Sequence, residues 1–392
     1  MQSTGVRCGD GLAVDADLVP AAEAATAEAL AALDGAVPDL AVVFACGPEP
    51  DELGAAMVRA GELTGAATVV GCSAPGVLGG GRGIELTSSV SVWVARLPDV
   101  SLRSFHLEVL RTSETIAVVG MPVRHLDDRV AMLLVDPYSF PVDAFVEQAA
   151  EALSGLPLVG GNAAGLRGAG STRLLVDGVL HDRGAVGLVL GGSLVHRAVV
   201  SQGCRPVGPT MTVTAAEGNL LLGLAGVPAV TKLEELLAAL PPQDQAMVSG
   251  GLHLGVAMDE YVDEHGPGDF LVRGVVGVDR ERGGLVVGDV LTVGQTVQLQ
   301  VRDAESADLD LTTLLGEVPT GAAGALLFSC TGRGAALFGT PDHDVRAVGE
   351  VLGTGGVAGF LAAGEIGPVG GRSHLHTFTA SVLVLLGGPT TT

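Results

Sequence analysis

The chain has 392 residues, enough for two hydrophobic cores, since single domains run to about 100–200 residues. Hydrophobic residues make up 47% and charged residues 17%, which excludes a disordered chain. A formal charge of −23, with Lys232 the only lysine, disfavours nucleic acid and anionic lipid as partners.

The segment before residue 38 reads as a strand and helix extension, 1–37. Leu40–Cys46 (LAVVFAC) then reads as a strand, followed by a helix with Leu53, Ala56, Met57, Ala60 and Leu63 on one face, a 3.6-residue periodicity. Val69–Gly76 (VVGCSAPG) reads as a short strand and loop, Gly79–Gly83 as a glycine-rich stretch, and Ser89–Ala95 as a return strand. The same order recurs at Val130–Asp136, a helix opened by Pro141, Leu158–Gly165 (LVGGNAAG) and Ala185–Leu190. Val42 to Gly71 spans 29 positions, as does Ala131 to Gly160.

Ala215–Leu224 and Lys232–Leu240 look helical, and Met247–Val301 reads as strands. Thr296–Arg302 (TVQLQVR) alternates as a half-buried antiparallel strand does. A third, looser copy of the repeat follows: Ala325–Cys330, a helix from Thr340-Pro341, a loop at Val357–Gly367 and a return at Thr379–Leu386. Ala325 to Gly359 spans 34 positions, so this copy is longer. Strand–helix–strand–loop–strand units imply an α/β (α+β) fold with mixed sheets and flanking helices. A change of texture near Pro228–Lys232 divides the chain into 38–230, with two units, and 231–392, with a β-rich segment and the third unit.

The common catalytic signatures are missing: there is no G-x-x-x-x-G-K-[ST], H-E-x-x-H or G-x-S-x-G. Gly353–Ala358 matches G-x-G-x-x-A but precedes a strand instead of following one. Cys8, Cys46, Cys72, Cys204 and Cys330 are odd in number and form no C-x-x-C pair, so neither a disulfide framework nor a structural zinc site is expected. Met1 to Val19 has no basic start before an apolar stretch, and no apolar run reaches the roughly 20 residues of a membrane helix. A cytoplasmic location without membrane contact is the resulting expectation. The lysine-poor, Ala/Gly/Val/Arg-rich usage points to a high-GC bacterial source.

The candidate ligand residues lie where small residues follow a strand. They are Gly71, Cys72, Ser73 and Arg82 in the first copy, and Gly161 and Asn162 in the second. The third copy supplies Cys330, Gly332, Arg333, Gly334, Gly364 and Glu365. Arg333 suits a carboxylate or phosphate, with a structural pair to an acid such as Glu365 the competing reading. A buried Glu365 requires a partner. Together the two could hold the ends of a zwitterion. Arg82 and Glu85 offer a second opposite-charge pair, with a solvated face the alternative. Asp342-His343-Asp344 suits a helix N-terminus. His374 and His376 share one face of a strand and are a candidate haem or metal pair.

VVGCSAPGVLGGGRGIE (69–85), LVGGNAAG (158–165) and GCRPVGP (203–209) resemble the N-terminal domain of the FIST family, the F-box and intracellular signal transduction proteins. GDFLVRGVVGVD (268–279), VQLQVRDAESADLDL (297–311), FSCTGRGAALFG (328–339) and VAGFLAAGEIG (357–367) resemble its C-terminal domain. The resemblance spans roughly residues 38–385. It implies a sensory module for a small ligand, amino acids being the usual proposal, that acts with a separate signalling protein such as a histidine kinase. Some members carry haem and sense nitric oxide, which makes haem the alternative cofactor to none. A sensor is therefore expected in preference to an enzyme, with catalysis by Cys330 or Glu365 as the remaining alternative.

Overall fold

The computed structural model describes residues 5–111, 116–249, 251–262, 265–266 and 268–387. The chain forms two compact units. The first runs to Val200, resumes at Leu311–Leu375 and again from Thr379; the second takes Ser201–Asp310 and His376–Phe378.

The first unit contains three copies of one motif. Copy one is β1 (Arg7–Val14), α1 (Leu18–Ala31), β2 (Leu40–Cys46), α2 (Pro50–Thr64), β3 (Thr68–Ser73), the hairpin β4 (Gly76–Gly79) and β5 (Arg82–Glu85), and β6 (Ser89–Arg96). Copy two is β7 (Val100–Arg111), β8 (Ile116–Val119), β9 (Asp128–Val135), α3 (Val142–Ala152), β10 (Leu158–Asn162), the hairpin β11 (Leu174–Val176) and β12 (Val179–His181), and β13 (Ala185–Gly192). Copy three opens with β14 (His196–Gln202), and the second unit is inserted there. Its elements are β15 (Cys204–Glu217), β16 (Leu220–Leu224), β17 (Val227–Pro228), α4 (Ala229–Ala239), α5 (Pro242–Ser249), β18 (Leu252–Ala257), β19 (Phe270–Asp279), β20 (Gly284–Val287) and β21 (Thr296–Arg302). Copy three continues with α6 (Ala304–Gly316), β22 (Ala322–Cys330), a π-helical turn (Gly334–Phe338), α7 (His343–Leu352), β23 (Val357–Ala362), the hairpin β24 (Glu365–Val369) and β25 (Arg372–His376), and β26 (Thr379–Leu386).

Each copy makes a mixed sheet in which a central strand runs parallel to the next strand and antiparallel to the last. β2 lies between β3 and β6, β9 between β10 and β13, and β22 between β23 and β26. The hairpins do not stay in their own sheets. Hairpin β4–β5 of copy one extends the sheet of copy three, β11–β12 of copy two extends that of copy one, and β24–β25 of copy three extends that of copy two. The exchange closes a cycle.

Strands buried on both faces explain the near-continuous apolar runs. Along β2, Leu40, Val42, Phe44 and Cys46 join a core shared by all three copies, while Ala41, Val43 and Ala45 pack under α1 and α2. Phe44, Phe328 and Phe360 meet in the shared core, with Phe360 lying 5.2 Å from Phe44 and 5.6 Å from Phe328. A glycine in each copy permits the close approach of the parallel strands. A Cβ at Gly71, Gly160 or Gly359 would overlap the carbonyl oxygen of Val43, Leu133 or Leu327.

The second unit is antiparallel. Its strands pair in the order β15, β21, β18, β19, β20, β16, and β15 pairs again with β16, closing the ladder. Val213, Leu221, Leu254, Val297 and Leu299 fill its core. The whole is the expected α+β fold with mixed sheets and two domains. The texture change at Pro228–Lys232 falls inside the second unit, where β17 gives way to α4.

Several element expectations change. Ala215–Leu224 is not helical but is the end of β15 and all of β16, because Gly218, at φ 56°, makes the tight turn between two strands. Val357–Gly367 is mostly two strands, β23 and the start of β24, and the glycine-rich segments 69–76 and 158–165 likewise begin as β3 and β10. Residues expected in loops therefore sit at strand ends. Leu63 is 37% exposed and does not join the buried face of α2. The longer third copy is accommodated by the π-helical turn between β22 and α7.

Candidate functional site

The apolar run of β22 ends at Cys330, where Thr331 and Gly332 turn the chain. The Thr331 N–H donates to the Ala362 carbonyl at 2.9 Å, the Gly332 N–H to the Cys330 Sγ at 3.4 Å and the Arg333 N–H to the Cys330 carbonyl at 2.8 Å. These bonds fold Arg333 back beneath the strand end, where it is 0% exposed. The π-helical turn begins at the next residue, and such turns recur at functional sites. Glu85, from the hairpin lent by copy one, accepts the Ala335 N–H at 2.9 Å. It lies against Gly334, where a Cβ would strike its carboxylate.

Arg333 grips Asp344 with two bonds, Nε to Oδ2 at 2.7 Å and Nη2 to Oδ1 at 3.0 Å. Asp344 also accepts from Ser329 Oγ at 2.6 Å and is 2.9 Å from His343 Nδ1. Burial raises its pKa, but the Arg333 charge and the His343, Arg333 and Ser329 contacts outweigh that and hold the carboxyl well below the usual range. His343 stacks on Phe338 at 3.5 Å, and the guanidinium carbon of Arg333 lies 5.4 Å from the same ring. The remaining guanidinium nitrogen, Nη1, is buried with no hydrogen-bond partner.

Glu365, also 0% exposed, faces the same cluster. Its Oε2 accepts from Thr379 N at 3.2 Å and Thr379 Oγ1 at 2.9 Å, and its Oε1 from Gly364 N at 3.2 Å. Burial pushes its pKa up to about 8, against the opposing effects of Thr379, Cys330 and Arg333. Burial thus shifts the carboxyl toward its protonated form. The cluster offers one unpartnered cationic donor, a carboxyl and a thiol, all buried.

The structure gathers most of the third-copy candidates and joins the second-copy pair to them. Gly161 pairs with Glu365 across β10 and β24. The Asn162 N–H donates to the Gly364 carbonyl at 2.8 Å, and its Nδ2 to the Ala363 carbonyl at 3.3 Å. Gly71, Cys72 and Ser73 sit apart from the Arg333 cluster: Cys72 is in the shared core, and Ser73 Oγ accepts the Arg173 N–H at 2.9 Å. Arg82 and Glu85 do not pair. They lie three residues apart on one strand and so face opposite sides, and Arg82 instead donates to the Leu12 carbonyl at 2.9 Å. His374 is half-buried and His376 is buried, both on β25.

Sequence reasoning assigned Asp344 to the helix dipole and missed its main role, because the acid that balances Arg333 is Asp344 and not Glu365. The signal was present: a buried arginine requires a carboxylate, and D-H-D opens the next helix. Thr379, Ser329 and Phe338 carried no signal, since they reach the cluster only through tertiary pairing.

Among the described residues, no helix is long and apolar enough to cross a membrane. The chain matches the model of the FIST N domain over residues 39–227 and that of the FIST C domain over 229–368. It is 39% identical over 386 residues to an uncharacterized protein of Mycobacterium tuberculosis strain H37Rv, covering 97% of this chain and 100% of the relative. An uncharacterized protein of Mycobacterium bovis is 38% identical over 385 residues, covering 97% and 99%.

Proposed function

This chain belongs to the FIST family, whose domains are small-ligand sensory modules, and from that premise we propose that it senses a small carboxylate-bearing metabolite of the amino-acid class through Arg333 and Glu365. One observation carries the reading: Arg333 Nη1 is buried and has no acceptor. A buried donor left unsatisfied costs about 1–3 kcal/mol, and more when it is charged. A ligand carboxylate would supply the missing acceptor in the planar geometry that guanidinium favours. The Glu365 carboxyl, buried beside Arg333, would accept a hydrogen bond from the ammonium end. Signal output passes, in this reading, to a separate protein such as a histidine kinase, which a pull-down with and without ligand would test.

The direct test is thermal unfolding against a panel of amino acids and organic acids. A ligand at a hundredfold excess over its Kd stabilises the native state by about 2.7 kcal/mol. We expect one chemical group of the panel to raise the Tm and Glu365→Gln to weaken that rise selectively for zwitterions. A flat response across the panel overturns the reading.

A further inference from the structure

Copy two leaves a trough between α3 and the segment that runs from β8 to residue 124. Along α3, Val142, Val146 and Ala149 are buried in the core of that copy. Ala144, Gln148 and Ala152 follow one another at four-residue spacing and so form a row on the helix surface. Two of the three side chains are single methyl groups, so the row stands low. A cavity of about 730 Å³ results, with Ile116, Met121, Val123 and Phe145 among its walls. Ligand pockets span roughly 300–1,000 Å³. Ile116 and Val123 are 57% and 79% exposed, and large apolar side chains gathered around one opening mark a binding surface.

Charge selects the occupant. The chain has 44 acidic residues against 21 basic ones, yet the charged side chain in this lining is Arg124. The exposed acids nearby, Asp127, Asp143, Glu147 and Glu151, lie outside it. Arg124 is fixed at one end of the trough. Its Nε donates to the carbonyl of Leu153, the C-cap of α3, at 3.2 Å, and its Nη1 lies 3.2 Å from Asp128 Oδ2. Asp128 is shared with Arg103, so two guanidiniums face one buried carboxylate. Among the described residues the bonds of Arg124 run through Nε and Nη1, which leaves Nη2 to a ligand. Pro141 marks the far end, where the walls are apolar, about 18 Å away at about 1.5 Å per helical residue. An apolar trough with a cation at one end is complementary to an alkyl tail with an anionic head. We propose that this cavity binds a medium-chain fatty acid, its carboxylate on Arg124 and its tail between α3 and β8.

Calorimetric titration of the full chain with sodium decanoate, kept below micelle formation, tests the site. The expected result is saturable binding that Arg124→Gln weakens about tenfold, the loss of one charged hydrogen bond. Ala144→Phe, which sets a ring into the trough, should weaken it at least as much. Ala144 is exposed, so α3 tolerates that change, and it decides alone if Arg124→Gln disturbs the fold. Acetate, a head without a tail, should not compete. Absence of saturable decanoate binding overturns the proposal, and so does binding untouched by both variants. Equal affinity for n-decanol or decylammonium would remove the need for Arg124 and overturn it too. Competition by acetate would assign decanoate to the Arg333 cluster instead, and self-association that excludes decanoate would give the face to a second copy; each overturns the proposal.

Discussion

The first and third copies bring the same strand–helix–strand frame to the same point and furnish it differently. At the end of β2 the charges stay outside. Arg173 reaches Asp51 at 3.3 Å, with the Asp51 side chain fully exposed, and Arg167 pairs with Glu49 at the surface. At the end of β22 the arginine is enclosed, its carboxylate partner is enclosed with it, and a second carboxyl lies close enough to feel the charge. A shared frame therefore does not dictate a shared site; the side chains placed on it do.

The sharpest way to break this contrast is to remove the acids. Asp344→Ala leaves Arg333 buried and uncompensated, and should cost about 3–5 kcal/mol in urea unfolding. A loss below about 1 kcal/mol would mean that the guanidinium finds water or another acceptor. The frame itself is tested next. Gly71→Ala and Gly359→Ala each press a methyl group onto a facing carbonyl, and each should cost about 1–3 kcal/mol. Strongly unequal losses would show that the copies are equivalent in topology but not in packing.

Glu365 gives a smaller, pH-dependent effect. Its folded pKa, about 8, lies above the unfolded value of 4.5. The native state therefore keeps a proton that the unfolded chain releases. Its contribution is full below pH 4.5, declines as pH rises toward 8 and is gone above. Wild-type protein should thus lose stability relative to Glu365→Gln across that window, as read from Tm at successive pH values. A difference independent of pH would place the carboxyl in contact with water. The smallest effect belongs to copy one, where Asp51→Ala should change unfolding by no more than about 0.5 kcal/mol.

The three-copy frame was legible in sequence because the buried strands recur in order and Gly71 and Gly160 stand at the same spacing, with Gly359 set five positions further on. Its closure was not legible, since a hairpin such as β11–β12 carries the same alternation whichever sheet receives it. The site was half legible for the same reason. Arg333 and Glu365 are out of place among apolar neighbours and so attract notice. Asp344 looks like an ordinary first-turn acid, and Thr379 like the start of a strand. Ala215–Leu224 was misread because alanine and leucine favour helices while the turn at Gly218 and pairing with β15 and β20 decide otherwise.

The exchanged hairpins also bear on how the molecule comes into being. Synthesis releases β4 early, yet its partner β23 is joined through Leu78 and Gly359, about 280 residues later. Closing so long a stretch of chain is slow compared with local pairing. The first hairpin made must therefore wait for nearly the last sheet strand, and the interval is when the nascent chain is most exposed to chaperones and proteases. A truncated form with two copies would leave one hairpin unseated and one sheet short of its outer strands. The ring is thus an all-or-none product of translation, finished only when its two ends have found each other.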